Sequence, residues 1–374
     1  MRVLFVIPSL LRAGAETQLV NVVNGLVAQG IEAHLLCFER QIDQRARLDP
    51  RVTFVHVPRR SKFDFRPMLE IRRLIDEEQI DVLHCSLQIA VFMGWAGRLL
   101  SRRRPPLVVA VHTTVNISER NEWFDRYVFR WPMRAAKKVI FVCKTQKKIW
   151  LAKFPELERS AEVVFNGIDA DHFSRDAMFD DPRALADKLG LPAGSLVVVN
   201  VAAFRKEKGH PFLLAAFAEV ARDLPSLHLL LVGDGPERNA VQNAVAQNPF
   251  KDRIVLSGSL SDVRPALALS KLATIASTAV ETFSIAMLEA MSMGVPLVAT
   301  DIGGTREAVL DGATGVVVPV GDVPGLANGL RRALENPERL AAMGIAAQAL
   351  VRERFTSFSM VTATKAVLER ASAH

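Results

Sequence analysis

The chain has 374 residues, 49% of them hydrophobic and 23% charged, which is enough for two packed domains and too apolar for a disordered chain. The formal net charge is +7. It is uneven, with 28 Lys and Arg against 19 Asp and Glu in residues 1–175 (+9) and 19 against 21 in the remainder (−2), which suggests two domains with different partners. No run of about 18 apolar residues offers a membrane span, MRVLFVIPSL turns polar too soon for a signal peptide, and Cys37, Cys85 and Cys143 lie in or beside apolar runs with no C-x-x-C pair, so buried free thiols in a reducing cytosol are expected.

In chain order, Val3–Ile7 is a continuous apolar run, as expected of a buried parallel strand. Pro8, Ser9 and Gly14 make a loop, and Ala15 to Gln29 reads as a helix closed by Gly30. Strands are expected at Ala33–Phe38, Val52–Val57, Val82–His84, Leu107–Val111, Val139–Val142 and Val163–Phe165. Helices fall around Pro67–Glu78, up to Leu100, and from about Lys144. The alternation predicts a doubly wound α/β domain, whose ligands bind beyond the carboxyl ends of the strands. The Ala13-Gly14-Ala15-Glu16 loop, His84 and His112 fall there. Gly14 either brings its backbone to a phosphate or simply opens the helix, and His84 is read as structural.

Asn121–Lys148 is unusual. Trp123, Phe124, Tyr127, Phe129 and Trp131 interleave with Arg126, Arg130, Arg134, Lys137 and Lys138, and Lys144, Lys147 and Lys148 follow. Two readings stand: a helix lying on an anionic membrane, or a core helix with a solvated basic face. Arg102-Arg103-Arg104 is a second basic cluster, in a loop.

Asn166-Gly167 is turn chemistry. Beyond it the alternation resumes: Leu196–Val201, Leu227–Val232, Ile254–Leu256 and Ala273–Ser277 as strands, with helices at Pro211–Leu224, near Glu237–Ala246 and near Val263–Leu269. Pro337–Arg352 and Phe355–Ala371 read as the last helices. Glu281 to Pro296, ETFSIAMLEAMSMGVP, joins a strand to a helix whose Ile285, Leu288, Met291 and Ser292 share a face and which Gly294 and Pro296 stop. Such a helix N-terminus suits a phosphate. Glu281 and Glu289 bracket it, and eight helical residues would rise roughly 12 Å at 1.5 Å each. That span fits a ligand with hydroxyls at both ends and phosphates between; the alternative is a capping acid and a solvated helix residue. Asp169-Ala170-Asp171 spells D-x-D, a metal–nucleotide motif, but the spacing is trivial and that reading is rejected.

Glu281–Pro296, with Thr300-Asp301-Ile302-Gly303-Gly304 and Glu307, resembles the E-x7-E signature of retaining glycosyltransferases of family 4. Asn166-Gly167-Ile168-Asp169 is similar to that family's crossover turn, and Gly233-Asp234-Gly235-Pro236-Glu237 to its G-x-G-P-E loop. Ala202 to Gly209 resembles its R…KG loop, and Ala13 to Glu16 its GG-x-E loop, with Ala13 in place of the first glycine. The commonest spacing would put the loop arginine at Ala203, whereas here it is Arg205.

The resemblance implies the GT-B fold: two doubly wound Rossmann-like domains facing across a cleft. Residues 1–170 would be the acceptor side, with helix 355–374 packed back on it, and residues 171–354 would bind the donor. It implies that Glu289 holds the ribose and Glu281 the donor sugar. Lys208 and Arg205 would neutralise the diphosphate with Gly14, Thr282, Phe283 and Ser284, His112 would lie near the transferred sugar, and the Gly233 and Ser257 loops would carry the base. The implied activity is metal-independent transfer, with retention, from a UDP- or GDP-sugar co-substrate. The acceptor would be a glycan or lipid-linked acceptor in cell-surface polysaccharide, lipopolysaccharide or glycolipid synthesis, reached from an anionic membrane surface at the cytoplasmic face. A nucleotide-sugar epimerase of the same fold and a non-catalytic nucleotide-sugar-binding subunit remain alternatives. The basic charge permits nucleic-acid binding, but no recognition motif for it is present.

Overall fold

The computed structural model describes residues 1–113 and 125–373, the side chains of Asp125 and Arg126 apart. The chain divides into two compact units, Met1–Gly167 with Ser357–His374, and Ile168–Thr356.

The first unit is a sheet of seven strands: β1 (Arg2–Ile7), β2 (Glu32–Cys37), β3 (Thr53–His56), β4 (Val82–Ser86), β5 (Leu107–Val111), β6 (Lys138–Phe141) and β7 (Ala161–Val163). They lie in the order β3-β2-β1-β4-β5-β6-β7, and every pairing is parallel. Alternate side chains feed two cores. Val3, Phe5 and Ile7 pack on the helix Gly14–Ala28, while Leu4 and Val6 pack with Ile71, Leu74 and Met93 on the other face. A strand buried on both faces must read as an apolar run, which is why these strands were legible. The last helix, Ser357–Ser372, buries Met360, Val361, Val367 and Leu368 in the first of these cores. A Cβ at Gly25 would stand 2.5 Å from Val361 Cγ2, so glycine lets the two helices approach.

The second unit repeats the plan with β8 (Leu196–Val201), β9 (Leu227–Val232), β10 (Ile254–Gly258), β11 (Leu272–Ile275), β12 (Leu297–Thr300) and β13 (Gly315–Val318), in the order β10-β9-β8-β11-β12-β13, again all parallel. In both units the chain order turns back beside the first strand, the arrangement that opens a ligand crevice at the carboxyl ends of an α/β sheet.

Three details differ from the sequence reading. β7 is Ala161–Val163, two residues earlier than Val163–Phe165, because Val164 and Phe165 already lead into the turn. The last helix begins at Ser357, since Phe355 still packs on Phe283 of the second unit, ring centroids 5.3 Å apart. β12, β13 and the helix Val323–Leu334 had no counterpart in that reading.

Candidate active site

At the carboxyl end of the second sheet, the loop after β8 is tied to the loop after β11. Thr278 N–H donates to the Glu207 carbonyl at 2.8 Å. Gly209 has φ +66°, and a Cβ there would lie 2.1 Å from the Ala276 carbonyl oxygen, so only glycine closes this turn. The closure brings Lys208 Nζ to 2.6 Å from Glu281 Oε2, and Ser277 Oγ donates to the same oxygen at 2.9 Å. The carboxylate side chain is 10% exposed and the ammonium 23%, so the pair is partly desolvated and well oriented. Arg205, on the same loop, is exposed and has no ion pair among the described residues.

The Glu281 backbone is held from a third side. Gly303, in the turn after β12, has φ +58°, and a Cβ there would sit 1.9 Å from the Glu281 carbonyl oxygen. Gly304 N–H donates to the Thr282 carbonyl at 2.7 Å. Thr282 and Phe283 are buried by this packing. Ser277, Gly209 and Gly303 were not assigned roles from the sequence. The two glycines had a signal, since a glycine flanking a motif marks close backbone approach; Ser277 had none.

The helix Ile285–Ser292 starts at Ser284, whose Oγ accepts the Met287 N–H at 3.4 Å. It ends at Gly294 with φ +68°, where Val295 N–H reaches back to Ala290 O at 2.9 Å. Only Ile285 to Glu289 of the Glu281–Glu289 span is helical, so the estimate of about 12 Å for eight helical residues does not describe it. The buried face also differs: Met287, Leu288, Ala290, Met291 and Ser292 are inside, and Ile285 is not. The helix is enclosed on more than one side, leaving Ile285, Ala286 and Glu289 half-buried.

Glu289 is half-buried, and its carboxylate has no ion pair or hydrogen bond among the described residues. Burial, and secondly the nearby Asp262 carboxylate, push its pKa up to about 7. An acceptor group poorly solvated and unpaired is suited to ligand hydroxyls. The loop after β9 is set by backbone packing: a Cβ at Gly233 would lie 2.0 Å from Ala202 O, and one at Gly235 2.5 Å from Phe204 O. Ser257 sits at a register shift in β10, its Oγ donating to Gly258 O at 2.9 Å.

In the first unit, Gly14 is the exposed first residue of the helix Gly14–Ala28, which has no side-chain cap. Behind it Glu16 is buried and accepts Ser9 Oγ–H at 3.1 Å, which folds the loop over the end of β1. His112 follows β5; burial lowers its pKa to about 4. His84 in β4 is lowered to about 3, by burial first and the neighbouring His112 second. Both imidazoles are neutral near pH 7. With Gln18 and Asn166 they line a cavity of about 40 Å³.

The described part of the aromatic–basic run is divided between core and surface. Trp123 and Phe124, with Asn121, lie outside the described residues. Phe129 is buried against Trp150, whereas Tyr127 and Trp131 are exposed. Arg130 and Arg134 both donate to Glu156 Oε1 at 2.8 Å, and Lys138 lies 2.8 Å from Glu162 Oε1. Three cations of the run therefore face two carboxylates. Asp169 Oδ1 accepts the N–H groups of Asp171 and His172, so it shapes a turn, and Asp171 is exposed beside Arg352. Cys37, Cys85 and Cys143 are buried and free, as expected.

The chain is similar to known proteins. The family model described as Glycosyltransferase Family 4 matches residues 12–172, and the one described as Glycosyl transferases group 1 matches residues 182–350. A GDP-mannose-dependent alpha-(1-6)-phosphatidylinositol monomannoside mannosyltransferase of Mycolicibacterium smegmatis is 34% identical over 291 residues, covering 74% of this chain and 73% of that protein. An N-acetyl-alpha-D-glucosaminyl L-malate synthase of Bacillus anthracis is 32% identical over 205 residues, 54% of this chain; the match spans about half of that relative's length, 52%. The crystal structure of HepE from Anabaena in complex with UDP superposes with a TM-score of 0.84 over 99% of this chain and 100% of that one, at 21% identity, which establishes a common fold.

Proposed function

This chain belongs to glycosyltransferase family 4, with the GT-B fold, and on that premise we propose that it moves a hexosyl group from a UDP- or GDP-sugar to a glycan or lipid-linked acceptor, with retention and without a metal ion. The observation that carries the reading is the Lys208–Glu281–Ser277 cluster beside the N-terminus of the helix Ile285–Ser292. Lys208, with Arg205 on the same loop, and the helix N-terminus would supply the positive charge that a diphosphate needs.

In this reading Lys208 and Arg205 hold the diphosphate with the backbone of Thr282, Phe283 and Ser284, and take up charge as it leaves. Lys208 also fixes the Glu281 carboxylate for the donor sugar. Glu289 accepts the ribose hydroxyls, and Gly233 and Ser257 border the base. Gly14 and His112 keep the roles that the resemblance gives them, at the diphosphate and the transferred sugar. The acceptor hydroxyl oxygen bonds the anomeric carbon as the bond from that carbon to the phosphate oxygen breaks. The hydroxyl proton passes to the leaving phosphate on the same face. The mycobacterial relative's GDP-mannose and the UDP bound to HepE support a uridine or guanosine diphosphate donor. Among the described residues no helix is long and apolar enough to cross a membrane. A lipid-linked acceptor would be met by peripheral association with the cytoplasmic membrane face.

Incubation with a panel of nucleotide-sugars tests the proposal. Nucleotide released only with an acceptor supports it. An altered sugar formed without acceptor would make the protein an epimerase, and tight binding without turnover a non-catalytic subunit.

A further inference from the structure

The loop after β3 carries the most exposed aromatic side chain among the described residues of the first unit, and it is a built loop. Asp64 accepts the N–H groups of Arg60 at 2.8 Å and Arg66 at 3.0 Å, and pairs with the Arg66 guanidinium, which itself donates to Pro58 O at 2.9 Å. Wrapped around that carboxylate, the loop leaves Phe63 81% exposed and Phe65 50% exposed. The helix Arg66–Glu77 continues from it, burying Pro67, Ile71, Leu74 and Ile75 and leaving Leu69 50% exposed. Phe65, Leu69 and Arg72 succeed one another at helical spacings along the outer side. An apolar group of this kind on a soluble surface needs a partner.

The surrounding charge names the partner. Arg60, Lys62 and Arg72 are exposed and have no ion pair among the described residues. In the order β3-β2-β1, the neighbouring loops at the same carboxyl edge bring exposed Arg40 after β2, and exposed Leu11 and Arg12 after β1, neither arginine with an ion pair among the described residues. Phenylalanines rimmed by unpaired Arg and Lys match an anionic lipid surface, where the rings enter the headgroup boundary and the cations meet lipid phosphates. The run Arg130–Lys138, by contrast, has three cations engaged by Glu156 and Glu162.

We propose that the first unit docks on an anionic bilayer through Phe63, Phe65 and Leu69 with Arg60, Lys62 and Arg72, at the sheet edge that also carries the Gly14 loop. This rests on the proposed use of a membrane-held acceptor and locates its contact.

The test is co-sedimentation of the whole chain with vesicles of equal phosphatidylglycerol and phosphatidylcholine at low salt, with no donor or acceptor present. Wild type should bind, release in high salt, and ignore pure phosphatidylcholine. Phe63→Ala with Phe65→Ala, and separately Arg60→Gln with Lys62→Gln, should each lower binding tenfold or more. Arg130→Gln, Arg134→Gln and Lys138→Gln together should change it less than twofold. Because Cys37, Cys85 and Cys143 are buried, Phe63→Cys can carry a polarity-sensitive dye, whose emission should shift blue on the same vesicles. Wild-type binding by the Phe variant, or loss through the Arg130–Lys138 variant alone, overturns the assignment. A chain that ignores vesicles but dimerises through Phe63 and Phe65, read by sedimentation velocity, overturns it in favour of a second copy. Nucleotide binding, measured separately, tells failure here from failure of the transferase reading.

Discussion

The carboxyl edges of the two sheets are finished in opposite ways. After β8, β9, β11 and β12 the loops touch backbone to backbone. Cβ atoms at Gly209, Gly233, Gly235 and Gly303 would each fall within 2.5 Å of a carbonyl oxygen. After β1, β2 and β3 the loops are also joined, Leu10 N–H donating to Gln41 O at 2.9 Å and Arg59 N–H to Phe38 O at 2.8 Å, but they expose Leu11, Arg12, Arg40, Arg60, Lys62, Phe63 and Phe65. An edge that must hold a flexible diphosphate needs fixed backbone, which restricts it to glycine at a few positions. An edge that meets a broad surface needs only exposed side chains of the right character, at positions no motif records. The net charges follow the same division, +9 in residues 1–175 and −2 beyond.

The strongest way to break this contrast is at the Lys208–Glu281 pair. On the proposed roles, Lys208→Ala would remove a diphosphate cation and leave Glu281 short of its partner, so transfer should fall about 100-fold or more. Glu281→Ala should lower turnover similarly while leaving free-nucleotide binding nearly intact, and the double variant should be little worse than either single, because the residues act as one unit. Additive losses in steady-state kinetics would mean that Lys208 does not position Glu281.

Gly303→Ala comes next. It imposes a left-handed alanine and a clash with the Glu281 carbonyl, costing about 1–3 kcal/mol of stability and more than tenfold in transfer. Gly294→Ala at φ +68°, whose nearest neighbour would be 3.9 Å away, is the control. It should cost about 1 kcal/mol and leave kcat near wild type. Equal activity loss in the two, measured beside thermal unfolding, would show that backbone crowding at Glu281 is not what transfer requires.

The Glu289 carboxyl gives a smaller, pH-dependent effect. Its pKa rises from 4.5 unfolded to about 7 folded, so the folded chain holds an extra proton between those values, and this group costs stability as pH climbs from 4.5 to 7. If, as proposed, ribose hydroxyls donate to the carboxylate, nucleotide affinity should rise with pH up to about 7, by at most about tenfold per unit, and level off above. Glu289→Gln should weaken free nucleotide and flatten the profile in isothermal titration. A profile unchanged by the substitution would detach Glu289 from the ribose.

The smallest effect is expected at the D-x-D sequence. Asp169→Ala removes a turn acceptor and should cost about 0.5–1.5 kcal/mol of stability. With Asp171→Ala it should leave nucleotide affinity unchanged, and transfer should survive excess EDTA. Activity lost in EDTA and restored by Mg²⁺ or Mn²⁺ would overturn metal independence.

The sequence alone determined the two alternating α/β halves, because strands buried on both faces must be apolar throughout. It also determined the motif loops, because glycine, proline and charged residues at fixed offsets are what phosphate-binding turns require. β12 and β13 were not read from it, although β3, β6 and β11, also of four residues, were. Tertiary structure decided the rest. Lys208 reaches Glu281 because β11 lies beside β8, a neighbourhood that strand order creates and spacing does not encode. Phe129 and Phe63 are the same residue type in equally basic surroundings. One is core and the other is 81% exposed, because exposure is set by what packs above a side chain, and that is a property of the fold.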